Sequence, residues 1–246
     1  MKTRLDILLV QKKLFETRSK AQSFIMAGNV FVNGEVCYKA SNIFKDDVFI
    51  EIKNAHPFVS RGGLKLESAL SELKIDVSNL ICLDIGASTG GFTDCLLRRG
   101  AAKVYAVDVG CQQLHYSLQK DKRVINIEKV NFRYFDGALI KDKIDFITID
   151  VSFISLDKIL PSAFKIISDN GCVLPMIKPQ FELEYGEVGK GVIRDEKLRQ
   201  KAINKIKLEA EKIGFKILGG TDSALKGPKG NLDFFLYLKK ENCGGK

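Results

Sequence analysis

The sequence predicts an α/β chain: a doubly wound, mostly parallel sheet preceded by a small module of helices and short strands. Three observations carry this. Dense apolar runs alternate with helical patterns from Ile81 onward, the mark of strand–helix–strand units. The run Leu80 to Ile85 ends in a glycine turn, and helical spacing resumes at Phe92, Cys95, Leu96 and Arg99. Two late runs, Phe215 to Thr221 and Leu232 to Lys239, have no helix between them and should pair antiparallel.

The chain opens with Leu5, Leu8 and Leu9 on one helical face and Lys12 and Lys13 beyond. A second helix is predicted from about Thr17, a candidate cap, through Ala21, Phe24 and Ile25 to Gly28. Arg18 and Lys20 stand in its first turn, where the helix dipole disfavours cations. A phosphate partner would account for them. Val30, Val32, Asn33-Gly34 and Val36 spell strand, hairpin turn and strand, and Val48 to Ile52 alternates as another. These elements define an α+β module over residues 1–55. His56-Pro57 interrupts regular structure and places a linker at 56–61.

The large domain, 62–246, begins with a helix carrying Leu64, Leu66, Ala69, Leu70 and Leu73. Lys65 borders that stripe, and a lysine on a helix usually reads as solvated. Strands are expected at Ile81–Ile85, Lys103–Asp108, Val124–Glu128, Ile144–Asp150 and Gly171–Ile177, with helices near 91–99, 112–120, 156–167 and 196–212. The glycine-rich segment from Glu182 to Gly191 reads as a mobile loop.

The turn after Ile85 selects among nucleotide ligands. It reads D-I-G-A-S-T-G-G-F from Asp84 to Phe92, which is neither G-x-G-x-x-G nor a phosphate loop ending in G-K-[ST]. Small residues let the backbone approach a ligand. The next strand ends in Asp108, an acid placed to hold a ribose diol. An acid in the first strand, a glycine turn without a lysine and a second acid fit S-adenosylmethionine. On spacing alone, an ordinary strand–helix turn stays open. The candidate cofactor residues are Asp84, Gly86, Ala87, Ser88, Gly90, Gly91, Phe92 and Asp108.

Composition narrows the classes. Thirty-nine basic against thirty acidic residues leave a formal charge of +9, which suits a polyanion such as RNA or an anionic membrane. The six cysteines form no C-x-x-C pair and read as reduced thiols of a cytoplasmic protein. Cys111 and His115 are too few for zinc, so no metal is expected. No segment has the apolar length of a transmembrane helix.

The strand ends then carry the chemistry. Asp150 closes ITIDVSFISL and Lys178 closes VLPMIKPQFE; both should stand at the ligand end of the sheet. With Lys65, and Asp233 at the start of the last strand, they form a Lys-Asp-Lys-Asp set. A lysine near other charges and partly desolvated can act as a general base.

Residues 4–52 resemble the alpha-L RNA-binding domain, through R-L-D at Arg4 to Asp6, T-R-S-K-A at Thr17 to Ala21, and G-x-V-x-V-N-G at Gly28 to Gly34. The resemblance implies RNA contacts from Arg4, Arg18, Lys20 and Lys39. The charged set resembles the Lys-Asp-Lys-Glu tetrad of FtsJ-type ribose 2′-O-methyltransferases. Almost end to end, the chain is similar to the TlyA family, called haemolysin A or rRNA methyltransferase. The matching pieces are VSRGGLKL, DIGASTGGFTD, VDVGCQQLH, DVSFISL, IKPQFE, GKGVIRD and GPKGNLDFFLYL. Lys65, Asp150 and Lys178 fall on tetrad positions, and Asp233 stands where the family has Glu, one methylene longer. The resemblance implies a Rossmann-like S-adenosylmethionine-dependent methyltransferase sheet behind a small N-terminal α+β RNA-binding domain. It also implies methylation of cytidine 2′-hydroxyls in bacterial ribosomal RNA within ribosomal subunits, in 23S with 16S left open as a second target. Two other readings are a membrane-active haemolysin and a non-catalytic RNA-binding assembly factor. The first lacks an amphipathic insertion segment; the second leaves the four charges without a role.

Overall fold

The computed structural model describes residues 2–26, 28–52, 57–189, 191–227 and 229–241. The chain divides into two compact units, Met1–Arg61 and Gly62–Lys246.

The first unit runs β1 (Lys2–Arg4), α1 (Leu5–Gln11), α2 (Arg18–Met26), β2 (Val30–Val32), β3 (Glu35–Val36), β4 (Ile43–Lys45) and β5 (Ile50–Ile52). Leu5, Leu9, Ala21, Ile25, Val30 and Val32 form its core, so both helices bury their apolar faces on the small sheet. Strand β2 pairs antiparallel with β3 and β5. Its turn with β3 has positive φ at both Asn33 and Gly34, the type I′ geometry that favours Asn-Gly. Thr17 caps α2, its hydroxyl accepting from Lys20 N at 3.2 Å. The ribbon of β1 with β4 was not legible, because neither strand alternates apolar and polar residues.

Arg18 has a different explanation from the phosphate expected. Asp6 is fully buried. Its carboxylate accepts from Arg4 Nε and Nη2 at 3.1 and 3.0 Å, Arg18 Nε at 2.8 Å, Gln22 Nε2 at 2.6 Å and Ile7 N at 3.0 Å. Arg4 sits at the helix start and Arg18 one helix on, so the buried carboxylate ties α1 to α2. The Arg4 bond, opposed by burial and joined by Gln22 and Arg18, holds the Asp6 carboxyl far below the usual carboxylate range. Such a group stabilises the folded unit above its ordinary value of 3.8, and that contribution is lost as pH falls below it. Asp6→Asn should therefore cost about 1–3 kcal/mol, read by native-state hydrogen exchange over residues 5–25, and the difference from wild type should shrink below pH 4.

The second unit contains α3 (Arg61–Glu72, its first residue in the first unit), β6 (Ile81–Ile85), α4 (Gly91–Arg98), β7 (Lys103–Val107), α5 (Tyr116–Gln119), β8 (Val124–Ile127) and β9 (Ile144–Ile149). After these come α6 (Leu160–Ile166), β10 (Ile167–Ile177), α7 (Pro179–Glu182), α8 (Tyr185–Val188), α9 (Glu196–Ile213), β11 (Phe215–Asp222) and β12 (Phe234–Lys240). The strand order is β11-β12-β10-β9-β6-β7-β8. Strands β8, β7, β6, β9 and β10 are parallel, and β12 inserts antiparallel between β10 and β11. The two last strands thus pair as expected, with the earlier one at the edge. Strand order reverses between β6 and β9, and ligands of open α/β sheets bind at such a switch point.

Two expectations are corrected. The helix expected over 112–120 is only Tyr116–Gln119. Asp108 binds Gly110 N at 2.7 Å and Glu128 binds Gln112 N at 2.8 Å, which draws the chain back over the strand ends and leaves no helical turn there. The segment expected as a mobile loop forms α7 and α8. A capping box of Glu184 and Glu187 starts α8, and Lys201 of α9 binds Glu187 at 2.6 Å. Lys190 lies outside the described residues. Among the described residues no helix is long and apolar enough to cross a membrane.

Candidate active site

Register places the reactive groups. Ile85 pairs with both Val107 and Ile149, so β6, β7 and β9 end level. Asp150 follows Ile149 directly. On the other side Ile177 pairs with Phe234, which sets Lys178, just after β10, beside Asp233, just before β12. Four side chains predicted from sequence meet at this rim in two ion pairs. Lys65 Nζ donates to Asp233 Oδ2 at 2.6 Å, and Lys178 Nζ lies 2.5 Å from Asp150 Oδ1.

Lys65 is not the solvated lysine that helices usually carry: it is buried on α3 among Leu66, Ala69 and Leu70. Asp233 is 2% exposed. Burial raises its pKa, against the pull of Lys65 and Lys178. Asp233 Oδ1 is buried without a hydrogen-bond partner. Lys178 donates to Ser152 Oγ at 2.9 Å, while its contact with Asp150 Oδ1 is an ion pair lacking hydrogen-bond geometry. The cluster therefore holds two cations fixed by carboxylates and two buried carboxylate oxygens without a hydrogen-bond partner. Beside it Phe153 and Phe181 stack with ring centroids 5.0 Å apart. Phe153 is 89% exposed, with φ of 64°, an uncommon conformation for an aromatic residue.

The glycine turn is shaped by the protein around it. Gly86 has φ of 83°, and a Cβ there would lie 2.6 Å from the Asp150 carbonyl oxygen. The absent side chain lets the ends of β6 and β9 touch. Gly90, at φ of 91°, would drive a Cβ to 2.3 Å from Leu118 and 2.7 Å from Leu114. The side chains of Leu114 and Leu118 thus fill the space beside it. Ser88 is exposed, and its N–H donates to Asp108 Oδ2 at 2.8 Å. Asp108 also accepts from Gly110 N, so two amides orient its half-buried carboxylate and each oxygen keeps a lone pair. Ala87, Gly91 and Phe92 are buried, and Phe92 packs on Phe235 with ring centroids 6.0 Å apart.

Asp84 and Phe92, expected as cofactor contacts, thus lie beneath the turn. Asp84 is fully buried and accepts from Thr93 Oγ1 at 2.7 Å and Thr148 Oγ1 at 3.0 Å. It joins β6, β9 and α4, and can act on a ligand only through the turn it holds. The threonines gave no signal in the sequence, each being one hydroxyl in an apolar element. In the first unit Arg4 and Arg18 are 40% and 53% exposed while bound to Asp6. Lys20 lies 3.7 Å from Glu16, and Lys39 is exposed. Among the described residues no three potential ligands gather to hold a metal ion.

Strand order, glycine turn and charged rim together define a Rossmann-like methyltransferase. The chain belongs to the FtsJ-like methyltransferase family, which matches residues 58–240, and carries an S4 domain over residues 3–47. It is 47% identical over 237 residues to Hemolysin A of Brachyspira hyodysenteriae, covering 96% of this chain and 99% of the relative. It is 38% identical over 243 residues to the 16S/23S rRNA (cytidine-2′-O)-methyltransferase TlyA of Mycobacterium tuberculosis (strain CDC 1551 / Oshkosh), covering 98% and 91%. A solved structure described as a hemolysin from Streptococcus thermophilus is 42% identical, with a TM-score of 0.78, and covers 98% of this chain and 89% of that one.

Burial raises the Asp84 pKa to about 7, the two threonines and Asp150 adding smaller effects of opposite sign. A carboxyl whose folded pKa is raised stabilises most below its ordinary value of 3.8 and loses that contribution as pH rises through the folded value. Asp84→Asn should accordingly flatten the fall in melting temperature between pH 4 and pH 8 relative to wild type, measured by calorimetry.

Proposed function

We propose that the protein transfers a methyl group from S-adenosylmethionine to the ribose 2′-oxygen of cytidine in ribosomal RNA, in the cytoplasm. The observation that carries this is the meeting of Lys65, Asp150, Lys178 and Asp233 at the switch point. The residues fit the cofactor. Asp108 has two oriented oxygens for a ribose diol, Val109 beside it is 72% exposed and offers an apolar face, and the half-buried carboxylate of Asp150 brings negative charge to the same rim, which suits a cationic group. The exposed backbone at Ser88 would follow the ligand. When bound, the cofactor supplies an electrophilic methyl on a sulfonium, released as a neutral thioether, so no metal is needed.

The chain does the rest. The Asp233 carboxylate, buried beside Lys178, favours the ammonium that forms when that lysine takes up a proton. Lys178, once it has released its own proton to solvent, takes the single 2′-hydroxyl proton at Nζ as the oxygen attacks. Lys65, pinned to Asp233, leaves a fixed positive charge against which the developing oxygen charge is stabilised. Asp233 is shorter than the family's Glu, and the bond from Lys65 on the facing helix holds its carboxylate in place. Phe153 presents an exposed ring, backed by the half-buried Phe181, on which a base can stack. The S4 domain supplies RNA affinity through Lys20, Lys39 and the exposed edges of Arg4 and Arg18.

Single-turnover transfer of labelled methyl to isolated ribosomal subunits tests the roles. Lys178→Ala should slow the step by about 10²–10⁴-fold with cofactor affinity little changed. Lys178→Arg should not restore it, since arginine stays protonated. Wild-type rates in Lys178→Arg would remove the general-base role.

A further inference from the structure

We propose that Glu182 is a positioning residue that bolts together the two loops carrying Asp150 and Lys178. The proposal rests on the reading that these two groups serve methyl transfer. Backbone pairing between β9 and β10 ends at Ile149 and Pro175. Beyond that point the segments 150–156 and 178–182 run side by side with no strand ladder to hold them. Three side-chain contacts span the gap: Lys178 to Asp150 and Ser152, the ring of Phe181 against Phe153, and the carboxylate of Glu182.

Glu182 closes the far end of this series. It is 4% exposed. Its Oε1 accepts from Leu156 N at 3.0 Å and its Oε2 from the hydroxyl of Ser155. Lys205 Nζ lies 3.9 Å from Oε2 and gives its hydrogen bond at 2.8 Å to the Glu182 backbone carbonyl instead. Asp157 adds a like charge nearby. A carboxylate buried with two neutral donors and one cation at 3.9 Å is costly to desolvate, and its two hydrogen bonds both go to the loop opposite. Phe153, between the bolt and the ion pair, sits at a φ of 64°. Such a conformation persists only where the surroundings over-determine it. Glu182 therefore acts on the reaction through the spacing of Asp150 and Lys178 and through the Phe153 backbone, without touching substrate.

Glu182→Ala and Glu182→Gln in the full chain provide the test, with two readouts. The first is amide hydrogen exchange, independent of activity. Glu182→Ala should speed exchange at Leu156 and across 151–158 and 178–183, leaving β6 and β7 protected as in wild type. The second is single-turnover methyl transfer to ribosomal subunits. Glu182→Ala should fall about 10–100-fold, the loss that a misplacement of about 1 Å can cause, with cofactor and RNA affinities within threefold of wild type. Glu182→Gln should keep the rate within about threefold, because its amide oxygen still accepts from Leu156 N and its NH₂ can donate to Ser155. A merely structural residue would lower melting temperature and affinity together, and Gln would not rescue. Unchanged exchange in Glu182→Ala would remove the bolt; faster exchange with an unchanged rate would remove its bearing on the reaction. Wild-type protein inactive on RNA would instead refute the functional reading while the exchange result still judged the bolt.

Discussion

Two lysines and two carboxylates held just beyond the strand tips constrain everything around them. Lys65 and Asp233 are buried, and a buried charge is tolerable only with its partner. Each pair is assembled from parts distant in sequence: α3 with the start of β12, and the end of β9 with the end of β10. The antiparallel insertion of β12 beside β10 is what brings Asp233 back to the rim at which parallel strands end. With β12 at the edge, or parallel, Asp233 would not stand level with Lys178. The antiparallel strand of the seven-stranded sheet is thus the feature that completes the charged rim.

The glycine turn serves the same assembly from beneath. Gly86 permits the close approach of the Asp150 backbone, and Gly90 makes space for Leu114 and Leu118. Asp84, buried between Thr93 and Thr148, locks the first strand to the helix that follows. The open part of the turn is therefore narrower than the motif: Ser88 is exposed, Gly86 and Thr89 are half-buried, and Ala87, Gly90 and Gly91 are buried. The first unit uses a comparable device, a buried Asp6 fastening two helices through arginines whose outer edges stay in solvent.

The sheet was legible because its strands are dense apolar runs bounded by glycine and charge, and Ile81–Ile85 was read to the residue. The hairpin at Asn33-Gly34 was legible for its turn chemistry. Where charged side chains contradicted the expected exposure, sequence reasoning stopped short. Nothing local marks Lys65 as buried, since its partner Asp233 lies 168 residues further along the chain. Arg18 drew a phosphate reading because its carboxylate partner lies twelve residues earlier in another helix. Asp84 and Phe92 fell within the motif, yet their side chains point under it, a distinction that only packing makes. Glu182 ended a recognised motif without an assigned role. Its partners, a backbone amide and a hydroxyl, leave no pattern to read.

The central claim is that the four-charge rim methylates a ribose oxygen of ribosomal RNA. Nucleoside mass spectrometry of ribosomal subunits incubated with the protein and isotope-labelled S-adenosylmethionine tests it most directly. The label is predicted in 2′-O-methylcytidine. Label on a nucleobase, or subunits that stay unlabelled beside protein that binds the cofactor, would contradict it.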